Sequence, residues 1–151
     1  MSTALTDLIT NDHVIIHKHV ATWQQAIAAV AQPLLADGSI TAAYVDSMID
    51  AVDRFGPYIA LSPHLVLAHA RPEAGVVRQA MSVMTLADPV NFNHPENDPV
   101  DIVFCLAAVD DDSHLKALRE FVAIAGDRPK QERLVAAKTV DEFQQILREE
   151  D

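Results

Sequence analysis

The chain is short of several things, and each shortage excludes a class of protein. It has one cysteine among 151 residues, Cys105, which cannot form an internal disulfide. A reducing compartment, the cytoplasm, is where such a chain belongs. Basic residues are few: 11 Lys and Arg stand against 22 Asp and Glu, for a formal net charge of -11. That balance excludes nucleic acid as a partner, because phosphates demand a basic face. It favours a protein partner with a basic contact surface, chiefly through the association rate. No apolar run approaches the ~20 residues that span a bilayer. The opening Met-Ser-Thr-Ala-Leu-Thr-Asp lacks the basic start and apolar centre of a signal peptide. No internal repeat, linker or low-complexity segment divides residues 1–151, which read as one domain. Half of its residues are apolar, so it is folded and long enough to bury a real core.

The most distinctive stretch runs from Gly56 to Gly75, with three of the eight prolines and two of the seven histidines. Tyr58–Leu61 and Leu65–Ala68 read as short extended runs broken by Ser62-Pro63. After His69 comes Ala70-Arg71-Pro72-Glu73, a turn, because a residue before proline is pushed out of the helical region. An imidazole at the junction of an apolar run and a turn can be fixed by backbone yet open on one edge.

Around this stretch the two periodicities alternate. Leu5, Leu8 and Ile9 suit a short opening helix, and His13–His17 a strand. Thr22 with Gln25 forms a capping box for a helix that buries Trp23, Ala26, Ile27, Val30 and Leu34 and stops at Gly38. Pro33 allows a kink or an early end. A second helix, Thr41 to Phe55, buries Tyr44, Val45, Met48, Ile49 and Val52 and ends at Gly56-Pro57. Val76–Leu86 reads as a strand, Ala87–Val90 as a turn and Asn91–Pro99 as a polar loop. Val100–Val109 is almost continuously apolar, the mark of a central strand covered on both faces. Asp110–Ser113 caps a helix carrying Leu115, Leu118, Phe121, Val122 and Ile124, closed by Gly126. A short helix follows from Arg128 to Lys138, and Thr139 with Glu142 opens a last one burying Phe143, Ile146 and Leu147. The sum is a single α/β domain of four or five strands.

Group transfer through histidine needs a neutral ring with one nitrogen free and the other pinned by an acceptor. It also needs donors where the transferred charge sits, such as a helix N-terminus or a second histidine. His69 meets the first condition. His114 meets the second, in the first turn of a helix that follows the central strand, with Ser113 and free N–H groups beside it. Sites in α/β sheets gather at the carboxyl ends of strands. Other readings stand beside these. A histidine among Leu67, Ala68 and Ala70 is more often packed in a core, and His114 also suits a helix surface. His64 is either a donor to the site or plain loop. His13, His17 and His19 are spaced like strand ligands but have no companion cluster, so no metal is expected. Asp98 and Asp101 suit turn and strand-end caps, and Cys105 a small buried hydrophobe.

Phe55-Gly-Pro-Tyr58, Ser62-Pro63, Ala68-His-Ala-Arg-Pro-Glu-Ala-Gly-Val76, Val90–Val103 and Leu106–Leu115 together carry a resemblance. In that order they resemble enzyme IIA domains of the bacterial phosphotransferase system, mannitol–fructose superfamily, and most of all the ascorbate type. The resemblance covers nearly the whole chain. It implies a mixed, mostly parallel sheet flanked by helices on both faces. It also implies a cytoplasmic phosphotransferase that works through a phosphohistidine and needs no cofactor. By the resemblance, His69 takes a phosphoryl group from the carrier HPr and passes it to a cysteine of enzyme IIB, with His114 in support. Ser113, His64 and Arg71 are further candidates for holding the phosphoryl group. Contact with the membrane would be indirect, through the enzyme IIB/IIC permease, and a homo-oligomer is compatible with the sequence. The family usually has Pro before the acceptor histidine and Gly after it, where this chain has Ala68 and Ala70. The mannitol type also carries an arginine on the preceding helix, and Arg54 stands out of register with it. The resemblance leaves a second reading, a regulatory module whose phosphorylation state is read by other proteins.

Overall fold

A computed structural model of the chain describes residues 5–109 and 115–149. Five strands form one sheet in the order β1-β4-β5-β3-β2. They are β1 (Val14–Lys18), β2 (Ala60–Ser62), β3 (Leu65–Ala68), β4 (Ala80–Val90) and β5 (Val100–Ala107). The apolar run expected to lie centrally, β5, does so: every residue but Asp101 is buried. β5 pairs parallel with β3 and antiparallel with β4; β1 pairs parallel with β4, and β2 antiparallel with β3. The sheet is therefore evenly mixed, not mostly parallel, because the β4–β5 connection is a plain loop that returns the chain beside itself.

Helices cover both faces. On one side lie α2 (Trp23–Ala36) and α3 (Ala42–Phe55); on the other lie α1 (Leu5–Leu8), α4 (Leu115–Ala125), α5 (Arg128–Ala136) and α6 (Val140–Arg148). Period-two alternation divides β1, β3, β4 and β5 between two cores. Val66, Ala68, Val103 and Cys105 pack with Ala26, Ile27, Val30, Tyr44 and Met48. Leu65, Leu67, Ile102 and Phe104 pack with Leu5, Phe121, Leu134 and Phe143. Phe104 and Phe121 meet edge to face, their centroids 5.1 Å apart. Among the described residues no helix is long and apolar enough to cross a membrane.

Both capping boxes form. Thr22 Oγ1 accepts from Gln25 N and Gln25 Oε1 from Ala21 N; Thr139 Oγ1 accepts from Glu142 N and Glu142 Oε1 from Lys138 N. α2 runs through Pro33 without ending there. Three expectations need correction. The strand after the histidine stretch begins at Ala80, not Val76, because residues 76–78 bond to the α2–α3 connection through an Ile40–Val76 bridge and the Ser39 carbonyl. That strand continues through Ala87–Val90, read as a turn; its pairing shifts between Thr85 and Val90, and an irregular ladder tolerates Pro89. On α4, Leu115 and Val122 face solvent, and the buried positions are Ala117, Phe121 and Ile124. The i, i+4, i+7 stripe of those three fixes the helix's rotation.

Candidate active site

His69 is the first residue beyond β3. The last pair of the parallel ladder is Ala68 with Cys105, so β3 and β5 deliver their carboxyl ends to the same edge of the sheet. The ring of His69 is half-buried, and its Nδ1 lies 2.7 Å from the Leu67 carbonyl oxygen. A carbonyl oxygen can only accept, so Nδ1 carries the proton in the neutral ring and Nε2 keeps its lone pair. This is the pinned, half-open imidazole that group transfer requires.

The loop after His69 is tied down at several points. Arg71 takes an extended conformation (φ -68°, ψ 141°) before Pro72, and Pro72–Ala74 makes a 3-10 turn closing on the Arg71 carbonyl. Gly75 then passes over the start of α3, its φ of +149° and close approach to Thr41 and Tyr44 both demanding glycine. The Thr41 N–H donates to the Gly75 carbonyl at 2.9 Å.

Both of the chain's tyrosines belong to this site. Tyr58 meets the His69 ring edge to face, with centroids 5.6 Å apart and planes at 87°, and its hydroxyl lies 3.5 Å from the His69 carbonyl oxygen. Tyr44 on α3 is buried; its hydroxyl donates to the Leu106 carbonyl at 2.7 Å and accepts from the Ala70 N–H at 3.0 Å. Burial pushes both phenols above their ordinary range, Tyr44 the further. Both therefore stay neutral and add no negative charge beside His69. Sequence reading gave neither tyrosine a role at the site. The one available signal was Tyr44 itself, a lone hydroxyl on a buried helix face, which needs a partner somewhere.

The other predicted site residues divide. Arg71 is exposed, two residues from His69, and pairs with no acid among the described residues. His64 is not brought to the site. It stands at the opposite end of β3, with positive φ (71°), its Nδ1–H donating to the Pro99 carbonyl at 2.6 Å. Five residues of extended chain, at ~3.3 Å each, separate it from His69. Ser113 and His114 lie outside the described residues; the chain that leads to them leaves β5 at Ala107, beside the end of β3. Arg54 pairs with Asp50 and lies over the Phe55 ring, an occupied surface cation. Of the strand histidines, His13 is bound to Asp37 and backbone, His17 to the Val135 carbonyl and His19 to Asp88. Among the described residues no cluster of three metal-ligating side chains exists.

The chain is 35% identical over 141 residues to the ascorbate-specific phosphotransferase-system EIIA component of Salmonella typhi, covering 93% of this chain and 92% of that protein. The solution structure of the mannitol-specific cryptic phosphotransferase enzyme IIA CmtB from Escherichia coli superposes with a TM-score of 0.84 at 28% identity, over 96% of this chain and 98% of that one. The enzyme IIA in the Escherichia coli mannitol complex of enzyme IIA with phosphorylated enzyme IIB shares the fold, with a TM-score of 0.79 at 22% identity over 93% and 98% of the chains. Residues 7–150 match the model of the phosphoenolpyruvate-dependent sugar phosphotransferase system EIIA 2 family, and the chain belongs to that family.

Proposed function

We propose that this chain is a cytoplasmic phosphocarrier whose acceptor atom is Nε2 of His69. The observation that carries the reading is the 2.7 Å bond from Nδ1 to the Leu67 carbonyl, which leaves Nε2 as the one nucleophilic nitrogen of the neutral ring. The donor is HPr phosphorylated on histidine. The Nε2 lone pair forms a bond to phosphorus as the donor's N–P bond breaks, and the donor imidazole leaves with that electron pair. A cysteine thiolate of enzyme IIB then attacks the same phosphorus, the Nε2–P bond breaks, and His69 returns to its neutral form. No metal or cofactor enters either step. Charge in such a transfer spreads over the equatorial oxygens, so positioned donors do most of the work. His114, Ser113 and the N–H groups at the head of α4 are assigned that part, with Arg71 close by in sequence. The coupled uptake is of a sugar bound by the membrane subunit. Ascorbate is the candidate, because the 35%-identical relative is ascorbate-specific.

The test is phosphorylation from phosphoenolpyruvate through enzyme I and HPr, followed by mass spectrometry under alkaline conditions, which preserve phosphohistidine. The label is expected on His69 alone, and His69→Ala abolishes acceptance. His114→Ala still accepts on His69 but passes the group to enzyme IIB ~100- to 1,000-fold more slowly, the usual effect of losing one preorganised donor. Label on another histidine with none on His69 would overturn the assignment. Wild-type transfer in His114→Ala would remove that residue from the mechanism.

A further inference from the structure

We infer that Tyr44 is a positioning residue for phosphoryl transfer, its buried hydroxyl fixing the loop that follows His69 to the end of β5. The inference rests on His69 being the acceptor, and it adds a residue that does not touch the reacting atoms.

Three observations carry it. The hydroxyl has one proton, and the Leu106 carbonyl at 2.7 Å takes it in preference to the Ala70 carbonyl at 3.3 Å. Its oxygen is then free to accept the Ala70 N–H at 3.0 Å. One atom thus joins the residue directly after His69 to the strand end from which the chain runs on to Ser113 and His114. Tyr44 also meets the far end of the same loop. Gly75 lies so close that a methyl group there would stand 3.0 Å from the Tyr44 nitrogen and 3.1 Å from its Cβ. The loop from Ala70 to Gly75 is therefore set against one residue, bonded to its hydroxyl at one end and close over its backbone nitrogen and Cβ at the other. Finally, Tyr44 is fully buried. It can meet neither partner protein, so its influence on transfer has to pass through geometry.

A buried hydroxyl that donates to one backbone group and accepts from another holds the two in fixed register, which matters where their relative position has to be kept. Transfer supplies that need, since a shift of ~1 Å in a reacting group costs ~100-fold in rate. Without the oxygen, the Ala70 N–H and the Leu106 carbonyl lose their common partner, and the spacing between the loop after His69 and the end of β5 relaxes.

The decisive comparison is Tyr44→Phe, which keeps the ring and removes the oxygen. Transfer from phospho-HPr is measured as kcat and KM separately, together with the 15N shifts of the His69 ring. The expected result is a ~10- to 100-fold lower kcat, with KM for HPr unchanged because the docking surface is untouched. Val52→Ala, on the same buried face of α3, serves as the stability control: it lowers the melting temperature and leaves kcat as it was. Two outcomes overturn the inference: kcat in Tyr44→Phe equal to wild type, or KM rising while kcat holds. Wild-type protein that takes no phosphoryl group at His69 overturns the acceptor itself, a result distinguishable from either. Should Tyr44→Phe fail to fold, hydrogen exchange on the wild-type protein decides. The Ala70 amide is expected to be protected well beyond its loop neighbours, and exchange at the rate of an open loop refutes the tie.

Discussion

Gly75→Ala should damage the fold and the site together, and the structure allows the damage to be sized. The backbone at this position has φ of +149°, outside the region that residues with a side chain ordinarily adopt. Forcing alanine into it costs about 1–3 kcal/mol. The new methyl would overlap Thr41 Oγ1 and crowd Tyr44 N at 3.0 Å and Tyr44 Cβ at 3.1 Å. Thr41 can rotate away, since its side chain makes no capping bond. Tyr44 N is helix backbone and Tyr44 Cβ is bonded directly to it, so neither can, and overpacking adds about 1–3 kcal/mol. Partial relief of each strain by the other brings the total to about 2–4 kcal/mol. For a domain of this size that is a fall of roughly 4–16 °C in melting temperature. Urea unfolding followed by circular dichroism measures the first quantity, and calorimetry the second. Because the displaced segment carries the bond from Thr41 N–H to the Gly75 carbonyl, transfer to His69 should fall by more than the loss of folded protein explains. A stability change within about 0.5 kcal/mol, the range of an ordinary surface substitution, would refute the reasoning, because it would mean that the loop moves freely on α3.

Two further outcomes follow from ionisable groups. Cys105 is fully buried beside Met48, and burial pushes its thiol up to about 12. A thiol reagent should therefore modify it only as fast as the native protein opens, and fast modification without denaturant would contradict a covered central strand. Partial burial alone would raise the Asp37 carboxyl from its ordinary 3.8, but bonds from Ser39 and His13 outweigh that and hold it at about 2. A depressed carboxyl stabilises the fold above its unfolded pKa and ceases to do so as pH falls through its folded one. The stability gap between wild type and Asp37→Asn, measured in urea, should thus be full above pH ~4 and close towards pH 2; a gap constant over that window would refute the assignment.

How far the fold could be read from the sequence depended on how local each cause is. The capping boxes at Thr22 and Thr139 are written within four residues, and both formed as read. The continuous apolar run of β5 could lie only at the centre of a sheet. By contrast, residues 76–78 are apolar enough for a strand, and only the Ser39 carbonyl and the Ile40 bridge, nearly forty residues away in sequence, draw them off it. The rotation of α4 likewise turned on which of its apolar residues found Phe104. At the candidate site, His69 could be singled out because its pattern is contiguous. The Tyr44 bonds reach 26 and 62 residues along the chain, and no local pattern announces them. His64 failed for the complementary reason: closeness in sequence becomes distance once the intervening residues form a strand.

The alanines that flank His69 fit this same geometry. Glycine after His69 would be indispensable if the backbone there had positive φ, but outside glycine only His17, His64 and Asn93 do so among the described residues. Ala70 lies where any residue can, so its methyl adds no backbone strain. That methyl is partly buried and packs against the core under α2 and α3. Ala68 is buried as the last residue of β3, in register with Cys105, where an alanine continues the strand with its N–H intact. What the proposed acceptor role would ask of the neighbours of His69 is the Leu67 carbonyl behind the ring and a fixed Ala70 amide ahead of it, and both are backbone groups. Backbone is indifferent to which small side chain it carries, so the two replacements leave the geometry of the His69 ring standing.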